Sequence, residues 1–485
     1  MRQKKIGRLT LACALTLGLL HATAAHTAPS PSRTNVLFLI ADDLNCDLGS
    51  YGANEIRTPH IDALAARGVR FEKAYAQYPS CAPSRASFLT GRRPNATRVL
   101  LNPGGPNPYT AHFRTHIPDT VTLPQLFKNA GWFAARVGKL YHYGVPMDIG
   151  TSSLDDFASW DLVVNPRGRD RDNEAPIHTL KAGHYAGTVS WLRDDEGSDE
   201  EHTDGIGATE AIALLEQFKR DARPFFLGVG FYRPHTPFVA PKKYFESYPL
   251  ERIALPPLSA ADRSRTPAAA YASAQAEQDS ATDLQRREAI QAYRASVSFM
   301  DAQVGRVLQA LERLILRQNT IVIFTSDHGY HLGDHGLWQK GSLFERSLRV
   351  PLIIAAPATG AARGQTAPGV VELLDLYPTL AELAGLPAPD YLDGTSLAPV
   401  LIDPRREVKT AAFSQVLRRS SGREGYTLRS GRWRYTEWDI EGGMVAQLFD
   451  EESDPAETTD LSSRPEHADR IAGFKQLLAA QRQRR

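Results

Sequence analysis

An α/β fold built on a mostly parallel sheet is what this chain predicts, and three features of its 485 residues predict it. Short apolar runs recur through the first four hundred positions, and they are continuous, not alternating, which marks strands buried on both faces. Helical stretches lie between them, the alternation of an α/β chain. The residues able to do chemistry stand just past the runs, at Asp42-Asp43, Lys139 to His142, Arg233 to His235 and Asp327-His328. Ligands of open α/β sheets bind beyond those strand ends.

In chain order, strands are expected at 35–40, 132–137, 225–229, 321–324 and 351–354, and helices at 61–67, 123–130, 208–220, 286–316 and 371–383. Two segments break the pattern. Residues 147–205 are rich in Asp, Gly and Arg, and 258–283 in Ala, Ser and Gln, so both read as long surface loops or lids. Past Asp403-Pro404-Arg405-Arg406 the runs become short and polar. Strands at 425–430, 431–438 and 446–450 and a last helix at 466–481 are expected there, a small antiparallel sheet with a terminal helix. The expected organisation is a signal segment at 1–28, a main catalytic domain at 29–404 and a small C-terminal α+β unit at 405–485.

The first 28 residues stand apart. Arg2, Lys4, Lys5 and Arg8 precede the apolar run Leu9 to Leu20, and small residues near Ala24 and Ala28 offer a cleavage site, the pattern of a secretory signal peptide. Twelve apolar residues fall short of the roughly twenty that a spanning helix needs. A secreted or periplasmic protein with no membrane span after signal removal is therefore expected. Removing the segment takes away four positive charges and no acids, moving the formal net charge from +1 to −3. No Lys or Arg run forms a polyanion-binding stripe, so nucleic acid is not an expected partner. Of three cysteines, Cys13 leaves with the signal, and Cys46 and Cys81 make no disulfide framework.

Asp42 and Asp43, adjacent at a strand end, would repel unless a cation pairs them, and a hard divalent metal is the natural partner. Asp327 supplies a third carboxylate from another strand end. His328 beside it is either a fourth ligand or a hydrogen-bond donor to substrate. Lys139 and His142 place a cation and a base three residues apart, His235 sits between Pro234 and Pro237 in a segment expected to be stiff and extended, and Lys340 adds a second ammonium. A metal, cations for anionic oxygens and an acid for a leaving group are what transfer of a charged, oxygen-rich group requires.

The run Cys81-Ala82-Pro83-Ser84-Arg85-Ala86-Ser87-Phe88-Leu89-Thr90-Gly91-Arg92-Arg93-Pro94 resembles the signature of type I sulfatases, in which the cysteine is converted to formylglycine. The resemblance extends over Asn35 to Asp43, Gly138 to His142, Pro224 to Pro241, Ser326 to Lys340, Leu373 to Thr379 and Asp393 to Leu397, nearly the whole chain after the signal. It looks like the iduronate-2-sulfatase branch of the sulfatases, within the alkaline-phosphatase-like superfamily. The Lys139 to His142 spacing is three where arylsulfatases have two, and His328 stands where they usually carry Asn.

The resemblance implies that Asp42, Asp43, Asp327 and His328 bind calcium together with the modified Cys81, that Arg85 and Lys139 hold the formylglycine, and that Lys139, His235 and Lys340 contact substrate. It implies attack on sulfur by hydrated formylglycine, leaving-group protonation by His235 or Asp327, and proton removal by His142. The implied partners are a sulfated carbohydrate, by resemblance a uronic acid 2-O-sulfate, and a formylglycine-generating enzyme. A uronate carboxylate would want a cation, for which Arg167, Arg169, Arg171, Lys242 and Lys243 are candidates. The alternatives are a phosphonate or phosphodiester hydrolase of the same superfamily and a sulfated-glycan-binding protein without turnover.

Overall fold

The computed structural model describes residues 33–103, 112–257, 266–357 and 360–483. The expected signal segment, 1–28, lies outside the described residues. Strand β1 (Asn35–Ala41) shows why the apolar runs are continuous. Leu37, Leu39 and Ala41 enter one core, and Val36, Phe38 and Ile40 enter another on the opposite face. Both faces of the strand are dry, so neither tolerates a polar alternate.

The remaining strands are β2 (Val69–Tyr75), β3 (Phe133–Gly138), β4 (Leu162–Val164), β5 (His178–Thr179), β6 (Ser190–Asp194), β7 (Phe225–Gly230), β8 (Phe238–Pro241) and β9 (Thr320–Ser326). They continue as β10 (His331–Leu332), β11 (Trp338–Gln339), β12 (Arg349–Ala355), β13 (Gln365–Glu372), β14 (Ala412–Leu417), β15 (Glu424–Ser430), β16 (Trp433–Ile440) and β17 (Gly443–Asp450). The main sheet has the order β13-β2-β12-β9-β1-β7-β3-β4. All pairings in it are parallel except those of β12, which is antiparallel to both neighbours. The mostly parallel sheet expected from the sequence is present, with β12 reversed.

Among the helices, α1 (Pro59–Ala65), α2 (Cys81–Thr90), α3 (Thr203–Arg220), α4 (Asp283–Arg313) and α5 (Ala468–Gln483) position the features discussed below. Helices α3 and α4 cover one face of the sheet, while α2 and the helices Leu123–Asn129 and Leu376–Leu383 cover the other. No described helix is long and apolar enough to cross a membrane.

Several local expectations change. The helix expected over 371–383 begins only at Leu376, because Val370 and Val371 finish β13 against Lys73 and Ala74 of β2; β-branched residues on a half-buried edge suit a strand. Strand β2 itself carries Arg70, Glu72 and Lys73 and so lacks the continuous apolar signal. Residues 147–205 are more than a lid: β4 extends the main sheet, and β6 pairs in parallel with β8. Ion pairs of Arg169 with Asp194 and of Arg233 with Asp170 let this polar stretch pack. Part of the second expected lid, 258–265, lies outside the described residues, and the rest forms short turns. The C-terminal sheet is antiparallel, β14-β15-β16-β17, one strand more than expected, with Leu478 of α5 buried against Leu428, Tyr435 and Leu448.

Candidate active site

Because the main strands other than β12 point one way, the segments after β1, β3, β7 and β9 emerge at one edge of the sheet. They carry Asp42-Asp43, Lys139, His235 and Asp327-His328 to a common place. Cys81 reaches the same place as the first residue of α2, whose ten residues are all buried. Pro83 lies in the first turn, where no backbone donor is needed. Arg85, four residues on, shares the face of Cys81. Leu89 enters the core and Gly91 caps the helix at φ 68°, its N–H bonded to the Ser87 carbonyl. A Cβ there would also lie 2.5 Å from Leu392. Thus the motif is the complete recipe for one buried helix with chemistry at its start.

Arg85, fully buried, ties the acids together. Its Nε donates to Asp327 Oδ2 at 2.9 Å, Nη2 to Asp42 Oδ1 at 3.1 Å, and Nη1 to the carbonyls of Lys139 and Leu140. Lys139 Nζ, also fully buried, lies 2.5 Å from Asp42 Oδ2. Burial, the largest single influence, would raise the Asp42 pKa, but Lys139, His235 and Arg85 together outweigh it and hold the carboxyl well below the usual range. For Asp327 burial wins over Arg85 and pushes the carboxyl up to about 6.

Asp43 is the hub. It adopts φ 63°, a left-handed conformation that Asp tolerates. Its Oδ1 lies 3.3 Å from His328 Nε2 and 3.7 Å from Cys81 Sγ and accepts from Lys340 Nζ; its Oδ2 faces His235 Nε2 at 3.7 Å. Cys81 Sγ is 3.0 Å from Lys340 Nζ and 3.3 Å from His328 Nε2. Burial would raise the Cys81 thiol, yet Lys340, Lys139 and His328 hold it well below the usual thiol value, so this position favours an anion. Burial works against the His328 imidazolium, but Asp327 and Cys81 raise its pKa to about 9. His328 Nδ1 meets the Gly329 carbonyl at 2.9 Å, which turns Nε2 toward the acids.

Two overlapping sets of donor atoms could hold a cation. Asp43, Cys81, Asp327 and His328 form one, and Asp42, Asp43, Cys81 and His235 the other, with the atoms of each set within 4.8 Å of one another. The structure thus brings together all five residues expected as ligands and adds His235 to them. Asp43 Oδ2 is buried with no hydrogen-bond partner among the described residues. An orphaned hard oxygen among carboxylates fits a divalent ion.

Above this cluster opens a cleft of about 800 Å³, lined by Asp43, His142, His235 and Lys340. Lys139 is not among its lining residues. His142 is half-buried and keeps Nδ1 unpartnered among the described residues; burial lowers its pKa although Cys81 pulls the other way. The His235 segment is a turn and not extended. Both of its X-Pro bonds are cis, and His235 N–H bonds the Tyr232 carbonyl at 3.0 Å. Asp204 accepts from the N–H groups of Tyr232 and Arg233, and Arg233, paired with Asp170, donates to the carbonyls of His235 and Pro237. No sequence-local signal announces this supporting network. The same holds for the far wall of the cleft, Val416 to Ser420, which comes from the end of β14 and the loop beyond it.

Several expected cations do not face the cleft. Arg167 pairs with Asp172, Arg169 with Asp194 and Glu196, Arg171 with Glu174, and Lys243 with Asp199, and neither they nor Lys242 line it.

Residues 34–386 match the family model described as Sulfatase, and 333–484 match N-sulphoglucosamine sulphohydrolase, C-terminal. The chain is 36% identical to the iduronate 2-sulfatase of Mus musculus over 76% of its own length and 71% of that protein. Against the iduronate 2-sulfatase of Homo sapiens it is 37% identical over 73% and 70%. Among solved structures, the phosphonate monoester hydrolase of Agrobacterium radiobacter superposes with a TM-score of 0.77 at 25% identity, covering 93% of this chain and 96% of that one.

Proposed function

This chain belongs to the sulfatase family and is a sulfuric ester hydrolase, and from that premise we propose that it removes the 2-O-sulfate of a uronic acid in a sulfated polysaccharide or glycosaminoglycan fragment. The observation that carries the reading is the 36–37% identity to two iduronate 2-sulfatases over most of the chain. Calcium is the proposed metal, on the hard oxygens of Asp42, Asp43 and Asp327. Export to the periplasm or medium and maturation by a formylglycine-generating enzyme belong to the same reading.

Formylglycine at residue 81 and the bound ion supply the nucleophile and a Lewis acid when present. The rest falls to ordinary side chains. Lys340, at the floor of the cleft, meets a sulfate oxygen, and Lys139 adds positive charge from behind Asp42. His235 Nδ1 sits 2.6 Å from the Thr236 carbonyl and keeps one proton there, so in the imidazolium form Nε2 carries the second proton and passes it to the leaving sugar oxygen, leaving the neutral imidazole. His142, kept neutral by burial, accepts a proton from residue 81. Arg85 positions both acids and Lys139.

The test is a screen of oligosaccharides sulfated at uronate O2 or at hexosamine O4 or O6, with peptide mass spectrometry reporting Cys81 conversion. Sulfate release from the 2-O-sulfated uronate alone is expected. Release only from hexosamine positions overturns the assignment. The likeness to a phosphonate monoester hydrolase favours one second reading, and an aryl sulfate compared with the matching aryl phosphonate monoester separates the two.

A further inference from the structure

Among the described residues, Arg418 is a buried cation with no acid against it. It is 8% exposed, and its Nη1 donates to the Gly341 carbonyl at 2.5 Å and its Nη2 to the Ala269 carbonyl at 2.8 Å. Its guanidinium carbon lies 4.9 Å from the centroid of the Trp438 ring, and its Nε is buried without a partner. Arg85, Arg93, Arg136, Arg233 and Arg434 are as deeply buried, and each sits against a carboxylate. A guanidinium buried without an opposite charge is costly. Burial accordingly pushes Arg418 down to about 10.

This cation lines the same cleft as Lys340, His142 and His235. Its place is fixed relative to Cys81. In β14, Ser414 Oγ donates to the Ala76 carbonyl and Gln415 N–H to the Gln77 carbonyl, and Leu417 N–H donates to the Tyr78 hydroxyl at 2.6 Å. Strand β14 is thereby stitched to the segment that leads into Cys81, and Arg418 is the next residue. Its bond to Gly341 also joins it to the residue after Lys340.

Resting on the uronate reading above, we propose that Arg418 recognises the carboxylate of the substrate's uronic acid and so determines specificity for it. Each Nη donates one N–H to a carbonyl and keeps a second, and a planar guanidinium edge matches a carboxylate with two parallel hydrogen bonds. Lys340 takes the sulfate and Arg418 the carboxylate of one sugar. An anion at Arg418 completes the pairing that the other buried arginines already have.

The experiment compares a 2-O-sulfated uronic acid disaccharide with the same disaccharide carboxyl-reduced to the hydroxymethyl sugar. Wild type should favour the acid in kcat/KM by about tenfold or more, the size of a lost charge-assisted hydrogen bond. Arg418→Gln should bring that ratio close to one, chiefly through KM for the acid. Arg418→Lys, which keeps the charge, should fall between and gives the comparison should the glutamine variant not fold. An equal loss on both substrates, with the wild-type ratio retained, reduces Arg418 to a support for the Lys340 loop and overturns the proposal. Wild type hydrolysing both equally also overturns it while leaving the 2-O-sulfate reading intact. Wild type hydrolysing neither, with Cys81 converted, overturns that reading itself.

Discussion

Asp327 shows how much one residue carries here. Its Oδ1 accepts from the N–H groups of Asp43 and His328, and its Oδ2 pairs with Arg85. It therefore sets the backbone of two other proposed ligands besides offering its own oxygen. Asp327→Asn keeps the shape but removes a charge from a hard-cation site. The expected outcome is loss of stoichiometric divalent ion by elemental analysis, with turnover down about a hundredfold or more, since Lewis-acid stabilisation amounts to several kcal/mol. Retention of both full metal and full activity would remove Asp327 from the ligand set. The sequence suggested this acid because it ends an apolar run; that it also braces Asp43 depends on β1 and β9 lying side by side.

At the level of elements, α4 and α1 are joined by a single buried carboxyl. Asp301 of α4 accepts from Ile61 N–H at 2.8 Å and His60 N–H at 3.2 Å, both in the first turn of α1. Burial pushes this acid up to about 7, although the two donors pull the other way. Its folded pKa thus exceeds the unfolded value, so the folded chain holds the extra proton. The stabilisation is complete below about pH 4 and is lost as pH rises through about 7. Asp301→Asn cannot titrate. Between pH 4 and pH 8 wild type should lose about 4 kcal/mol relative to Asp301→Asn, read from denaturant unfolding. Parallel pH profiles for the two proteins would contradict the assignment.

For the whole molecule, the C-terminal sheet is joined to the main body by apolar contacts, backbone hydrogen bonds and a buried ionic cluster. Arg434 of β16 pairs with Glu345, Glu451 and Glu457, and burial lifts Glu451 to about 7 and Glu457 well above the usual range. Glu345 lies five residues past Lys340, so this cluster also anchors one end of the active-site loop. Arg434→Ala leaves three acids facing one another with Arg429 beside two of them and Arg349 beside Glu345. A cost of about 3–5 kcal/mol is expected, as for a broken buried pair. Equilibrium unfolding measures it, and a loss under about 1 kcal/mol would mean that the sheet is held chiefly by its apolar contacts.

Much of the site is legible along the chain because its chemistry is local. Cys81 and Arg85 share a face through helical geometry, Gly91 must end that helix, and acids that close continuous apolar runs are carried to the ligand edge of a parallel sheet. Those features need only nearest-neighbour sterics and burial. What the tertiary structure alone decided is which distant residues meet. His235 joins the metal-capable atoms through a turn braced by Asp170 and Asp204, strand β12 runs backward between β2 and β9, and Arg418 reaches the cleft because β14 bonds to the residues before Cys81. An arginine in the sequence looks the same whether an acid neutralises it, as with Arg167 or Arg169, or none does, as with Arg418. The difference is made by long-range pairing, which depends on where the whole sheet places each loop and not on the residues beside it.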